Sequence, residues 1–146
     1  MSDSPAGPFS GGRYLGVGPA GMRQIDPGIF IDDDGQAYYV WGQFDMKMAR
    51  LTPSMRELEA GSTADKVLTE KEHRFHEGAF MTKRNGIYYL VYTHYGRADM
   101  ATTIAYSTSR SPMGPYRYGR GILDHARVAP GVWAHPGSVG GFARPG

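Results

Sequence analysis

From Ile87 to Tyr92 every position is apolar or aromatic, and an extended strand would turn Ile87, Tyr89 and Val91 to one face and Tyr88, Leu90 and Tyr92 to the other. Such a strand has no solvent face, so both sides need neighbouring sheets. It follows Asn85-Gly86, as the apolar run from Ala37 to Trp41 follows Asp34-Gly35. Pairs of this kind predict two-residue type I′ hairpins, because both central residues must take positive φ. The stretches 26–41 and 77–92 share this pattern at an interval of 51 residues, and each opens on one acid, Asp26 or Glu77.

A period near 50 residues with several short strands per unit is the signature of a β-propeller blade, whose sheet buries its faces against the next blade. A second echo supports it: the phrase from Ser2 to Phe9 returns from Ser109 to Tyr116, about two units further on. With 21 glycines and 10 prolines the chain is punctuated too often for long helices, and 52–55 and 111–115 read as further turns. The expected architecture is all-β: about three blades of four-stranded antiparallel sheets, with repeats near 22–75 and 76–130 and another beginning over 131–146. Three units of 51 already exceed the 146 residues present, and propellers close with about four to eight blades. The chain is therefore expected to be an incomplete propeller domain, truncated at both ends.

Composition narrows the partners. Sixteen basic against 14 acidic residues leave a net charge of +2, too small and scattered for nucleic acid or an anionic membrane to be the main partner. The absence of cysteine removes thiol chemistry and disulfides. No apolar run approaches the roughly 20 residues that cross a bilayer, and residues 1–9 lack the basic and apolar regions of a signal peptide.

If both hairpins have two-residue turns, Asp26 falls opposite Gln43 and Glu77 opposite His94. The acids then share one end of their blades with Trp41, Gln43, His94 and Tyr95. Two carboxylates directed at the ring axis disfavour each other's ionisation, which keeps one protonated as a general acid near neutral pH. Aromatic side chains at that rim would stack on the apolar faces of sugar rings, although most aromatics in such a chain belong to the core. Read singly, Asp26 is an ordinary strand-start acid and Glu77 a solvated one. Their matched positions favour chemistry instead.

Other motifs carry less. The run Asp32-Asp33-Asp34-Gly35 lacks the alternating ligands and twelfth-position glutamate of an EF-hand and reads as a turn. His73, His76 and Glu77 have neither the order nor the helical setting of a zinc site. Gly16, Gly18 and Gly21 spell a dinucleotide fingerprint, but no strand-turn-helix surrounds them and Pro19 opposes a helix.

At these residues the chain resembles glycoside hydrolase family 43. The matching phrases are Ile25-Asp26-Pro27 with Asp32-Asp33-Asp34-Gly35 and Trp41-Gly42, then His76-Glu77-Gly78 with Gly86-Ile87-Tyr88-Tyr89-Leu90. Tyr106-Ser107-Thr108-Ser109 with Ser111-Pro112-Met113-Gly114-Pro115-Tyr116 also fits. The resemblance implies a partial five-bladed β-propeller from an enzyme that removes α-L-arabinofuranosyl or β-xylosyl units of xylan by inversion. Carried over, Glu77 matches the general acid and Asp26 the aspartate that raises that acid's pKa and orients it. The family's general base lies in the first blade, upstream of every residue here, so the isolated chain is expected to be inactive. His135-Pro136-Gly137-Ser138-Val139 is similar to the axial histidine segment, with Pro136 where a second polar residue is common. The resemblance implies no required cofactor, and the metal it admits is a structural calcium near the propeller axis of the full-length protein. The implied partner is a plant cell-wall oligo- or polysaccharide, with Trp41, Gln43, His94, Tyr95 and His135 as substrate-binding residues. A retaining fructosidase fits less well, because it uses a different first-blade phrase. The rival from another class is a non-catalytic propeller that binds glycans or a protein partner, which has no need of Asp26 and Glu77 at matched positions.

Overall fold

The computed structural model describes residues 2–12, 15, 24–94 and 103–124. Strands β1 (Gly28–Ile31), β2 (Ala37–Trp41), β3 (Asp45–Arg50) and β4 (Ala64–Thr69) form one antiparallel sheet in chain order. A single helical turn, α1 (Glu70–His73), leads to a second such sheet of β5 (Phe75–Arg84), β6 (Ile87–His94), β7 (Thr103–Ser109) and β8 (Arg117–Asp124). This is the all-β arrangement that the repeat predicts, with one four-residue helix among the described residues. The segment 131–146, expected to open another blade, lies outside them.

The core lies between the two sheets. Tyr38, Val40, Met46, Met48 and Leu68 meet Phe75, Met81, Tyr88, Leu90 and Tyr92 in one cluster. Alternation decides which side chains take part: Tyr88, Leu90 and Tyr92 face the first sheet, while Ile87, Tyr89 and Val91 are half-buried on the other face. Each fully buried side chain of this size contributes about 1.5–3 kcal/mol. Phe75 and Tyr92, both fully buried, meet edge to face with centroids 5.5 Å apart. The Tyr92 hydroxyl donates to the His73 carbonyl at 2.9 Å, and His73 Nδ1 accepts from the Thr69 N–H at 3.1 Å. Nε2 therefore carries the imidazole proton and donates to the Tyr116 carbonyl at 3.2 Å, so the buried polar groups at α1 tie the sheets together.

The hairpins differ from each other. Asn85 (φ 52°) and Gly86 (φ 74°) form the expected two-residue turn between Arg84 and Ile87. The first hairpin departs from expectation: Ile31 pairs with Ala37, Gly35 N–H donates to the Asp32 carbonyl and Asp32 N–H to the Gln36 carbonyl. The loop is three residues, 33–35, with only Gly35 at positive φ (85°). Asp34 caps it by accepting from the Gln36 N–H at 2.9 Å, which favours an ordinary turn followed by one left-handed glycine. The whole register of β1 on β2 is thereby shifted by one.

Gly28 brings the sheets together at their first strands. A Cβ there would sit 2.9 Å from Val40 Cγ2 and 3.0 Å from the Ala79 carbonyl oxygen, so only glycine permits this approach of β1 to β5.

Candidate active site

The shifted register removes two expected pairings. Asp26 lies before β1 with a left-handed φ of 53°, exposed and outside the ladder, and does not face Gln43 in register. Glu77 pairs with Thr93, not His94, because β5 carries register shifts on both sides of it, one of them spanning Gly78 at φ 65°. Bulges of this kind re-aim a side chain at the end of a strand.

What joins the two acids is the turn between β2 and β3. Gly42 N–H donates to the Ile25 carbonyl at 3.0 Å, fixing the residue before Asp26. The next residue, Gln43, donates from Nε2 to Glu77 Oε2 at 2.8 Å. Phe44 N–H donates to the His76 carbonyl at 2.8 Å, and the Phe44 carbonyl accepts from Glu70 N–H at 2.9 Å. The turn is tight. Gly42 has φ 120°, and a Cβ there would lie 2.5 Å from the Asp45 carbonyl oxygen. Phe44 holds φ 66°, a rare conformation for a bulky residue, and its ring packs edge-on against His76 at 5.1 Å. Asp26, Gln43 and Glu77 thus occupy one end of the two sheets.

Glu77 is buried at 9% exposure, and His76 Nε2 approaches the same Oε2 to 3.8 Å. A buried carboxyl needs hydrogen-bonded partners, and the Gln43 amide is one.

The remaining predicted residues are placed differently. Trp41 is 1% exposed, on the face turned away from the second sheet, against Tyr39 at 5.3 Å and beside Ala49 and Leu58. His94 pairs with Phe75 and Thr103, is 4% exposed and stacks on Tyr118 at 5.4 Å. Burial, with Arg74 nearby, pushes the His94 imidazole down to about 4, so it is neutral at physiological pH. Tyr95 and His135 lie outside the described residues. Among the described residues no group of three or more His, Cys, Asp or Glu is arranged to hold a metal ion.

Sequence reasoning missed the supports of the site. The tight turn at Gly42 and the packing of Phe44 on His76 had one sequence signal, a glycine directly after the β2 aromatic run. It also missed a buried cluster at the opposite end of the sheets, where Asp32 accepts from Lys83 and Tyr88.

The model of glycosyl hydrolases family 43 matches residues 1–137, and the chain belongs to this family. The two sheets are consecutive blades of its five-bladed β-propeller. A xylosidase/arabinosidase 43A of Humicola insolens is 30% identical over 85% of this chain and 49% of its own. The chain thus spans about half the length of that relative. The structure of an α-L-arabinofuranosidase from Clostridium thermocellum superposes with a TM-score of 0.68 at 30% identity, over 93% of this chain and 49% of that one. An arabinoxylan arabinofuranohydrolase from Bacillus subtilis, solved with cellotetraose, gives a TM-score of 0.73 at 26% identity, over 92% of this chain and 32% of that one.

Proposed function

We propose that this chain carries the proton-donating part of an inverting glycosidase that removes α-L-arabinofuranosyl or β-xylosyl units from xylan or its oligosaccharides. The observation that carries the reading is the buried Glu77 carboxyl, held by Gln43 at the same end of the sheets as Asp26. Relatives with xylosidase, arabinosidase and arabinofuranohydrolase names support the substrate class.

In this reading Glu77 protonates the glycosidic oxygen as the bond to the anomeric carbon breaks, and a water attacks from the opposite face. Asp26, at the same end of the sheets, serves in this reading as the partner carboxylate that orients the acid. Inversion requires a second carboxylate about 6.5–9.5 Å from the acid to deprotonate that water. We assign that base to none of the 146 residues, so the chain expressed alone does not turn over aryl arabinofuranosides or xylosides.

The test is Glu77→Gln in the natural full-length protein. A general acid contributes roughly 10²–10⁴-fold, and most where the leaving group is poor. Natural oligosaccharides should lose most of their turnover, and activated aryl glycosides much less. Small, equal losses on both would remove Glu77 from the role.

A further inference from the structure

Gln43 was expected to bind substrate, yet its amide is directed at Glu77, and the strained turn around it explains why. Gly42 at φ 120° and Phe44 at φ 66° flank Gln43, and the three backbone bonds made by Gly42 and Phe44 leave the turn little freedom. Glycine takes its positive φ readily, but a phenylalanine in the left-handed region persists only where surrounding structure enforces it. Here the turn holds one amide on one oxygen.

We infer that Gln43 is a positioning residue that determines which oxygen of Glu77 carries the transferable proton. The inference rests on the reading of Glu77 as the acid. In a protonated carboxyl the carbonyl oxygen is the better acceptor and the hydroxyl oxygen the donor. The Gln43 N–H donates to Oε2, so Oε2 is the carbonyl and the proton resides on Oε1. After the proton passes from Oε1 to the glycosidic oxygen, the same N–H remains on Oε2 of the carboxylate. The amide therefore need not move during turnover, and the proton leaves from one fixed direction. A carboxyl free to interchange its two oxygens would offer the proton in the wrong orientation part of the time.

Two measurements test this. In the 146-residue chain at acid pH, the infrared difference spectrum between the parent and Glu77→Gln isolates the carbonyl stretch of the protonated Glu77 carboxyl. Gln43→Met keeps the side-chain length but removes the donor, and the band should move to higher frequency. Gln43→Asn, which shortens the reach by one methylene, should move it in the same direction and serves if the methionine variant does not fold. A band that stays in place in a folded variant overturns the proposal. In the full-length protein, Gln43→Met should lower kcat about tenfold on substrates with poor leaving groups, with KM unchanged and activated aryl glycosides nearly unaffected. A rise in KM on both substrate types with constant kcat would make Gln43 a substrate-binding residue and overturn the assignment. The two readings fail separately. If the band moves but Glu77→Gln retains activity on poor leaving groups, Glu77 is not the acid although Gln43 orders its carboxyl. If Glu77→Gln is inactive and the band does not move, Glu77 is the acid and Gln43 does not position it.

Discussion

Lys83 Nζ lies 2.6 Å from Asp32 Oδ1, and the two residues hold equivalent places in consecutive repeats, 51 positions apart. Lys83 also reaches Asp33 at 2.8 Å, and the Tyr88 hydroxyl donates to Asp32 Oδ2 at 2.6 Å. A buried carboxylate of the first sheet is thus closed by a cation and a hydroxyl of the second, at the opposite end from Glu77. Because hydrogen bonds to charged groups are worth about 1.5–3 kcal/mol, Tyr88→Phe should destabilise the fold by about 2 kcal/mol. Lys83→Met should also destabilise it, since it leaves Asp32 buried without its cation. Urea unfolding of each variant measures this. Midpoints equal to the parent's would mean that the cluster does not join the sheets.

The same cluster sets an acid limit. Burial raises the Asp32 carboxyl, but the bonds from Lys83, Tyr88 and the Asp33 N–H outweigh it and leave the group below its ordinary 3.8. A carboxylate with a depressed folded value contributes stability above its unfolded value and loses it as pH falls through the folded one. Stability from this group should therefore be level above about pH 5 and decline below about pH 4, and Asp32→Asn should lack that decline. Unfolding midpoints between pH 3 and 7, compared for the two proteins, decide it.

Much of this was legible because repeats and turn chemistry are local. The Asn85-Gly86 hairpin, the two-faced strand at Ile87–Tyr92 and the scarcity of helix all follow from residues adjacent in sequence. The first hairpin was misread by one residue because Asp-Gly serves both a two-residue and a three-residue loop, and the choice lies in capping by Asp34. Glu77 could be selected from its position in the repeat, but its pairing with Thr93 depends on bulges that no spacing rule announces. Trp41 looked like a rim aromatic because it ends a strand beside the site, while packing against Tyr39, Ala49 and Leu58 buries it. The Gln43 bond spans 34 residues and two sheets, so it is a product of tertiary structure alone.

His94 gives a second, separate pH effect. Its imidazole falls from an ordinary 6.5 to about 4 because burial disfavours the cation, with Arg74 adding to this. Between those values the unfolded chain binds the proton and the folded chain does not, so stability is complete above about pH 6.5 and is lost progressively toward pH 4. His94→Phe, which keeps a ring against Tyr118, should flatten this part of the profile without altering the limb below pH 4. The His94 Hε1 resonance should also stay at its neutral position down to about pH 5. Titration of that resonance near pH 6.5 would show the ring to be solvated.

Gly42 and Gly86 are both left-handed or beyond, yet alanine should affect them very differently. Gly86, at φ 74°, has open space where a Cβ would go, so Gly86→Ala meets only the backbone penalty of about 1–2 kcal/mol and leaves the rest of the sheet in place. Gly42 stands at φ 120°, and its Cβ would meet the Asp45 carbonyl oxygen at 2.5 Å, a backbone atom that cannot swing aside as a side chain would. Relief requires the 42–45 turn to open. That movement withdraws the Gln43 amide from Glu77 and loosens the Phe44 bonds to His76 and Glu70. Gly42→Ala should therefore destabilise the protein more than Gly86→Ala, and it alone should shift the side-chain amide resonances of Gln43 toward solvent-exposed values. In the full-length protein, activity on poor leaving groups should fall with Gly42→Ala and persist with Gly86→Ala. Unchanged Gln43 resonances in Gly42→Ala would show that the turn accommodates a methyl group, and that the glycine is not what holds the amide on the acid.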